Sequence, residues 1–178
     1  MKKIYIDELS KLKQKSFVDQ KIYNQFWRWI NTETKILKAD GTQHHVCVMF
    51  APFDRQTKQI FLIHHRKADL WMIPGGHVEP NEKPVDCVIR EFAEELGKKM
   101  LPQQIELFNL AITSIENPRQ TCKTHYDLWY IVNTPVETYT LEPGAFYSAS
   151  WYSLDVAVKK VIVPGFQTLL RKLADYTL

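Results

Sequence analysis

The sequence has few cysteines, and none of them form a pair with the spacing of a metal site or a disulfide framework. Cys47, Cys87 and Cys122 are odd in number and far apart along the chain. A zinc ribbon or a dithiol redox site would carry a C-x-x-C pair. We therefore expect neither a zinc site nor a disulfide, but three buried, unreactive thiols in a reducing compartment.

Long apolar runs are also missing. No stretch approaches the ~20 apolar residues that a helix needs to cross a bilayer, and no apolar segment follows Met1-Lys2-Lys3 as it would in a secretory signal. We expect no membrane partner and a cytoplasmic location. The net charge of +3 is too small to imply nucleic acid as an obligatory partner.

Residues 1–40 contain neither glycine nor proline, and this composition favours helices. Asp7 is predicted to cap a first short helix and Asp19 a second, along which apolar residues recur with helical spacing at Ile22, Phe26, Trp29 and Ile30. That stripe could pack on the rest of the chain, form a homodimer contact or act as a lid over a substrate. Asp40-Gly41 ends the region, so we predict an N-terminal helical extension at 1–40 and a domain at 41–178.

From His44 onward, strand-like segments surround one central helix. The predicted helix Pro84–Leu96 has proline in its first turn and Gly97 at the position of a left-handed cap. The predicted strands are residues 45–51 and 59–65, paired as a hairpin, and 71–73, 77–79, 105–115, 125–132 and 150–152. Two further helices are predicted at 154–161 and 164–176. This order indicates an α/β protein of the α+β type with a mixed sheet, not a doubly wound parallel sheet.

The central helix carries three carboxylates close together. Glu91, Glu94 and Glu95 lie at i, i+3 and i+4, where like charges destabilise a helix by about 0.2–0.5 kcal/mol per pair. Such a run can be an ordinary solvated acidic face. It becomes favourable when the carboxylates share a divalent cation, and oxygen ligands of this kind suit Mg²⁺ or Mn²⁺.

The surroundings of these glutamates resemble the signature of the Nudix hydrolases. Gly76, five residues, Glu82, seven residues and then Arg90-Glu91-Phe92-Ala93-Glu94-Glu95-Leu96-Gly97 match G-x5-E-x7-R-E-apolar-x-E-E-x-G-apolar. Only the last position departs, since Lys98 replaces an aliphatic residue. The segments Trp71–Gly75 and Trp151–Asp155 also resemble the family, so the similarity covers residues 44–160 and leaves out residues 1–40.

This resemblance implies a Nudix-type α/β/α sandwich and a Mg²⁺-dependent hydrolase, with Mn²⁺ as an alternative ion. The substrate would be a small nucleotide-like molecule, either a nucleoside triphosphate or a nucleoside diphosphate-linked compound, whose diphosphate bond is attacked by a metal-activated water. Arg90 would orient the carboxylates. Glu82 would support the metal shell, and the metal ligands would be Glu91, Glu94, Glu95 and the carbonyl of Gly75.

The general base differs among members of that family. Many of them carry an acid about three residues before the tryptophan of the late segment, where this chain has Ser148. Two acids in the preceding loop, Glu137 and Glu142, are substitutes within reach. Otherwise the base lies within the signature itself, which is called the Nudix box, at Glu91 or Glu94.

Substrate contacts are predicted from residue type alone. A diphosphate needs cations, for which Arg66 and Lys67 are the main candidates, and a nucleobase needs a flat apolar surface, for which Tyr126 and Trp129 are the main candidates. Further candidates are Arg119, Lys123 and Phe53. Core packing is the alternative for each aromatic residue. The histidine pairs at 44–45 and 64–65 have no ligand-like company in the sequence.

Three other functions are compatible with parts of the pattern. An isopentenyl-diphosphate isomerase of the same fold would need a catalytic cysteine and a His/Glu metal pattern, and Cys47 has no such company. An RNA 5′-pyrophosphohydrolase is permitted by length, but no basic stripe supports it. A non-catalytic nucleotide-binding module would be expected to have lost box glutamates, and this chain keeps them.

Overall fold

A mixed sheet flanked by helices makes up the computed structural model, which describes residues 2–116 and 121–176. The strands are β1 (His44–Asp54), β2 (Gln59–His65), β3 (Leu70–Met72), β4 (Gly75–His77), β5 (Ile105–Ser114), β6 (Thr124–Asn133) and β7 (Phe146–Ser153). The helices are α1 (Lys2–Leu12), α2 (Gln20–Thr32), α3 (Pro84–Leu96), α4 (Leu154–Lys160) and α5 (Pro164–Tyr176).

The strand order explains why the sheet is mixed. The main path runs β3-β2-β1-β6-β5, while β4 pairs with β1 and β7 pairs with β2. The long pairing of β1 with β6 is parallel, and the other strand pairs are antiparallel. The predicted hairpin of β1 and β2 and the predicted mixed sheet are therefore confirmed.

Helices cover both faces of the sheet, and β1 is therefore buried along nearly its whole length. Side chains alternate along a strand, so Val46, Val48 and Phe50 join the core that contains α1, α2 and α3. Met49, Ala51 and Phe53 join the core that contains α4 and α5. This is the predicted α/β/α sandwich.

Three predictions differ from the structure, one of them the last strand, which is predicted at 150–152 and spans Phe146–Ser153. The cap at Asp7 is wrong, because α1 already begins at Lys2 and buries Tyr5, Leu9 and Leu12 along one stripe. The strand predicted at 77–79 lies instead at Gly75–His77, where the backbone pairs with β1 opposite Cys47. This segment is a strand because its backbone pairs with β1. Two of its three residues are glycines, so it shows no side-chain pattern from which the strand could be predicted.

The N-terminal helices pack on the domain. Asp19 caps α2 as predicted, accepting hydrogen bonds from the amides of Lys21 and Ile22. On the packed face of α2, Trp29 stacks on Tyr126 with ring centroids 3.6 Å apart and 7° between the planes. A division of the chain at residues 40–41 stays a prediction. Within the described ranges, no helix combines the length and the apolar character of a bilayer span.

Replacing Phe26 with alanine should lower the free energy of unfolding by about 3–5 kcal/mol. The ring is fully buried and meets Trp29 and Tyr126 edge-on, so its removal leaves a cavity between α2 and the sheet. Urea denaturation measures the change. The exposed neighbour Gln25 is the control, and Gln25→Ala should stay within about 0.5 kcal/mol of the parent. Equal stability of the two variants would show that α2 is not part of the cooperative core.

Candidate metal and diphosphate site

Two glycines let β4 lie against the carboxylates of α3. A Cβ atom at Gly76 would fall 1.9 Å from Oε1 of Glu91, and one at Gly75 would fall 2.4 Å from the carbonyl oxygen of Val48. Neither position has room for a side chain. The glycines are required for close approach, which is one of the standard uses of this residue.

The helix α3 holds its acidic residues in place through its buried face and its ends. Val88, Phe92 and Leu96 are fully buried, and Phe92 stacks on Phe50 of β1. Proline stands in the first turn, and Gly97 ends the helix in the left-handed conformation with φ 69°. The predicted bounds of this helix are confirmed.

The guanidinium of Arg90 lies at the centre of the site. Nε donates to Oε1 of Glu82 at 2.8 Å, and Nη2 donates to Oε2 of the same residue at 3.0 Å. Nη1 donates to Glu91 at 2.8 Å and to Glu94 at 3.1 Å. Nη2 also donates to the carbonyl of His77 at 3.1 Å. One planar group thus contacts three glutamates and the end of β4.

Glu82 is held on all sides by donors. Besides the bidentate contact with Arg90, its Oε2 accepts the amide of Glu79 at 2.9 Å. Burial alone would raise the pKa of Glu82, but the bonds from Arg90 and from the Glu79 amide outweigh it and lower this pKa. Glu82 is therefore ionised and directed at Arg90.

Glu91 and Glu95 lie deeper, and both are short of donors. Burial raises the pKa of Glu91, and the hydrogen bond from Arg90 offsets this only in part. Burial also raises the pKa of Glu95 well above its usual range, although the Gly75 backbone donates to it. Oε2 of Glu95 is buried without a hydrogen-bond partner. A buried carboxylate in this state is costly unless it meets a cation, so the pair fits a divalent ion.

The three glutamates do not converge on one point in this conformation. Within the described parts of the chain, the carboxylate oxygens of Glu91, Glu94 and Glu95 are not all within 4.8 Å of one another. Arg90 draws Glu91 and Glu94 to its own side, whereas Glu95 faces Gly75. Glu94 is exposed at the edge of this group.

The loop after β6 returns to the end of α3 and brings two acids with it. Oε1 of Glu137 lies 2.5 Å from Nζ of Lys98 and also accepts from the Thr134 hydroxyl. Burial would raise the pKa of Glu137, but these partners outweigh it and lower that pKa. Glu142 is exposed. Its amide donates to the backbone carbonyl of Glu95 at 2.9 Å, and its charge contributes to the raised pKa of Glu95.

Of the predicted cationic contacts, Arg66 and Lys67 lie beside this loop, whereas Lys123 lies at the opposite end of β6. Arg66 is exposed and its guanidinium carbon sits 4.8 Å above the ring of Tyr147, which is 56% exposed. Lys67 follows it on the surface, and Lys123 is exposed ahead of β6. Arg119 lies outside the described residues.

The predicted aromatic contacts are in the core, which was the alternative for each. Trp129 is 2% exposed and packs edge-on against Phe166 of α5. Tyr126 is 8% exposed and lies under Trp29 on the opposite face of the sheet. Phe53 is fully buried. The structure does not bring these rings together, and none offers a free face to a base.

Two partners of Arg90 were missed from the sequence. Cys87 lies one turn earlier on α3, and its Sγ is 3.3 Å from Nη2 of Arg90. The carbonyl of His77 could not be found from residue type, because it is a backbone group. The i, i+3 spacing of Cys87 and Arg90 is the one signal that could have indicated the first contact.

Comparisons with known proteins agree with this geometry. A family model described as NUDIX domain matches residues 43–173. An RNA pyrophosphohydrolase of Xanthomonas oryzae pv. oryzae is 27% identical over 107 residues, which are 54% of this chain and 50% of that protein. The chain thus spans about half the length of the curated relatives it matches.

Two solved structures share the fold. The E. coli dihydroneopterin triphosphate pyrophosphohydrolase has a TM-score of 0.64 and 16% identity, covering 74% of this chain and 95% of its own. The NUDIX domain of Shewanella oneidensis NrtR, complexed with ADP ribose, has a TM-score of 0.61 and 13% identity, covering 85% and 97%. At these identities the likeness establishes the fold and nothing finer.

Replacing Gly76 with alanine should weaken Mg²⁺ binding at least about tenfold, because the new Cβ would displace the Glu91 carboxylate from its place beside Arg90. Titration calorimetry with Mg²⁺ measures the affinity. Gly165→Ala on α5 is the matched control, since a Cβ there meets nothing within 4 Å, and its affinity should equal that of the parent. Unchanged affinity in Gly76→Ala would separate Glu91 from the metal site.

Proposed function

The chain belongs to the NUDIX family, whose domain model matches residues 43–173, and from this premise we propose that it is a metal-dependent hydrolase of a diphosphate bond in a nucleotide-like substrate. The observation that carries the proposal is the pair of donor-poor carboxylates of half-buried Glu91 and buried Glu95 beside the glycines of β4. The similarity to an RNA pyrophosphohydrolase supports the same reaction type.

Mg²⁺ or Mn²⁺ would be held by Glu91, Glu94, Glu95 and the carbonyl of Gly75. When bound, such an ion offsets charge on the diphosphate and lowers the pKa of a coordinated water. Glu82 would act on the metal shell through Arg90, because both of its oxygens already accept from that guanidinium. Arg90 would keep the like-charged carboxylates in register by charge-assisted bonds.

Substrate phosphates and a base would meet the surface around Arg66. The amide of Arg66 donates to the carbonyl of Ala145, and the amide of Ala145 donates to Glu142. Since Glu142 adjoins Glu95, this chain of contacts leads from the carboxylates to Arg66 and Lys67. Tyr147, whose ring lies under the Arg66 guanidinium, would contact the base, because the rings of Tyr126 and Trp129 are buried.

Glu142 is the loop acid that we assign as general base. A base must exchange a proton with water near the phosphorus, and Glu137 is occupied by Lys98 and Thr134. Glu142 is exposed, and its amide donates to the carbonyl of Glu95, so its side chain lies near the carboxylates. Glu91 and Glu94 are retained as ligands in this assignment.

A nucleoside triphosphate and a 5′-triphosphorylated RNA end carry the same kind of phosphoanhydride bond, and the curated relatives are RNA pyrophosphohydrolases. The sequence shows no basic stripe of the kind that tracks a polynucleotide backbone, and the net charge is only +3. We therefore propose free nucleotides as the first candidate substrates and RNA 5′-ends as the second. We also place the activity in the cytoplasm, where the free, buried thiols of Cys47, Cys87 and Cys122 would stay reduced.

A phosphate-release screen tests the reaction type. The panel contains nucleoside triphosphates, nucleoside diphosphate-linked compounds and a 5′-triphosphorylated RNA, each with Mg²⁺ or Mn²⁺. Glu94→Gln should lose about 100-fold or more in kcat/KM on the substrate that is turned over. Asp86→Asn is the control, because Asp86 is an exposed acid in the first turn of the same helix. Turnover of nothing in the panel, or equal turnover by both variants, would contradict the proposal.

Glu142→Gln should lower kcat by about 10²- to 10⁴-fold while the Mg²⁺ affinity stays near that of the parent, since this side chain is assigned to water and not to metal. Glu137→Gln is the matched loop control and should keep kcat within a few fold. The comparison uses steady-state kinetics at saturating Mg²⁺ on the substrate found in the screen. A large loss in Glu137→Gln with none in Glu142→Gln reverses the assignment, and no loss in either moves the base to Glu91 or Glu94.

A further inference from the structure

Four metal-ligating side chains converge in a place that the proposed hydrolysis does not use. His45, His77, Cys122 and His125 each offer one ligand atom, and these atoms all lie within 4.8 Å of one another. His45 and Cys122 are buried, with exposed fractions of 1% and 5%. His77 and His125 are half-buried.

The sheet register brings the four residues together. The parallel pairing of β1 with β6 sets His45 opposite His125, and the antiparallel pairing of β1 with β4 sets Cys47 opposite His77. Directly opposed residues share a face, so the three histidines lie on the face of β1 that carries Met49, away from α3. Cys122 reaches them from the approach to β6.

The distances suit one tetrahedral ion. The ring centroids of the three histidines form a nearly equilateral triangle, with sides of 4.9, 5.1 and 5.3 Å. Sγ of Cys122 lies 3.8 Å from Nε2 of His77. Bonds of the usual lengths to zinc place neighbouring tetrahedral ligand atoms roughly 3.3–3.6 Å apart, so small side-chain movements close the set.

Two of the histidines have a ring nitrogen that is buried without a hydrogen-bond partner. Nδ1 of His45 lies 3.1 Å from the carbonyl of Thr42, which can only accept, so the proton is on Nδ1. This leaves Nε2 of His45 buried without a partner, and Nε2 of His125 is in the same state. Metal-binding histidines commonly fix their second nitrogen on a backbone carbonyl in this way. Desolvation lowers the pKa of His125 to about 4, which favours the neutral, ligating form.

We propose that His45, His77, His125 and Cys122 bind one structural zinc ion. Three imidazoles and one thiolate are ligands that zinc prefers, and four protein ligands make a closed site of the structural type. The ion would link β1, β4 and β6 at one point. His77 would join both sites, because its ring faces the zinc ligands while its carbonyl accepts from Arg90.

A second set of donors shares His125 and competes with this assignment. Ligand atoms of Cys47, His125 and Asp127 also lie within 4.8 Å of one another. Asp127 already accepts from the Thr113 hydroxyl at 2.6 Å, and burial raises its pKa to about 7. These three residues would leave the ion short of a fourth protein ligand, so the set with three histidines is favoured.

Metal content and cobalt spectroscopy test the site directly. Full-length protein carrying no histidine tag should contain about one zinc per chain by elemental analysis. Removal of zinc with a chelator should lower the Tm, and added zinc should restore it. With Co²⁺ in place of zinc, the spectrum should show tetrahedral bands and a thiolate-to-cobalt band. Wild-type protein that holds no zinc and gives no thiolate band with Co²⁺ overturns the proposal without recourse to any variant.

Matched variants identify the ligands. Cys122→Ser should lose the thiolate band and bind zinc at least about tenfold more weakly, whereas Cys47→Ser should keep both. The reverse result would assign the ion to the set with Asp127. His45→Ala should lose zinc, and His44→Ala should keep it, because His44 is exposed and contacts Thr124. Zinc retained at full affinity in both Cys122→Ser and His45→Ala contradicts the site.

One further variant separates this site from the proposed hydrolase site. The Glu95→Gln variant should retain its zinc but bind Mg²⁺ more weakly, because Glu95 lies across β4 on the side of α3. A protein that hydrolyses nothing in the screen could still bind zinc. A protein that binds no zinc could still bind Mg²⁺ at the carboxylates, so the two experiments fail independently.

Discussion

The guanidinium of Arg90 allows three like-charged carboxylates, two on α3 and one just before it, to lie side by side. Placed together without a cation, Glu82, Glu91 and Glu94 would repel one another, and buried carboxylates would take up protons instead. Nε and Nη2 of Arg90 donate to Glu82, and Nη1 donates to both Glu91 and Glu94. Nη2 also donates to the carbonyl of His77. A lysine could not do this, because a single ammonium has neither the planar fork nor the number of donors. Arg90 is therefore one of the contacts that hold α3 against β4, together with Cys87, whose Sγ lies 3.6 Å from the same carbonyl.

The short strand β4 is the part of the fold that most needs such a link. It has three residues, two of them glycines, and its described pairing is with β1. A strand of this kind gains little from side-chain packing, since glycine has none to offer. Its position is set instead by the Gly75 and Gly76 contacts with neighbouring groups, by the bond from Arg90 to its last carbonyl, and by the ring of His77 on the opposite face. Both proposed metal sites thus depend on the same three residues.

Local signals made part of this structure predictable, and long-range pairing made the rest unpredictable. The bounds of α3 follow from Pro84 and Gly97, and the start of α2 follows from Asp19, because caps act within one turn. The candidate carboxylates could be chosen from their spacing, although their roles stay predictions. The sequence could not decide between core packing and base contact for Trp129 and Tyr126, since a strand covered on both faces shows no polar side. The histidine cluster was equally hidden: C-x-x-H at Cys122 and His125 is only a fragment of a motif, and the register between β1 and β6 supplies the other ligands.

The one departure from the box pattern, Lys98, acquires a use in the fold. Where an aliphatic residue would pack, its ammonium pairs with Glu137, whose carbonyl in turn accepts from Nε1 of Trp151. The loop is thereby fixed between the end of α3 and β7. Within that loop the amide of Glu142 reaches the carbonyl of Glu95, so an acid is placed by backbone contact beside the carboxylates. Under the proposed assignment of Glu142 as general base, no acid is required at the position of Ser148.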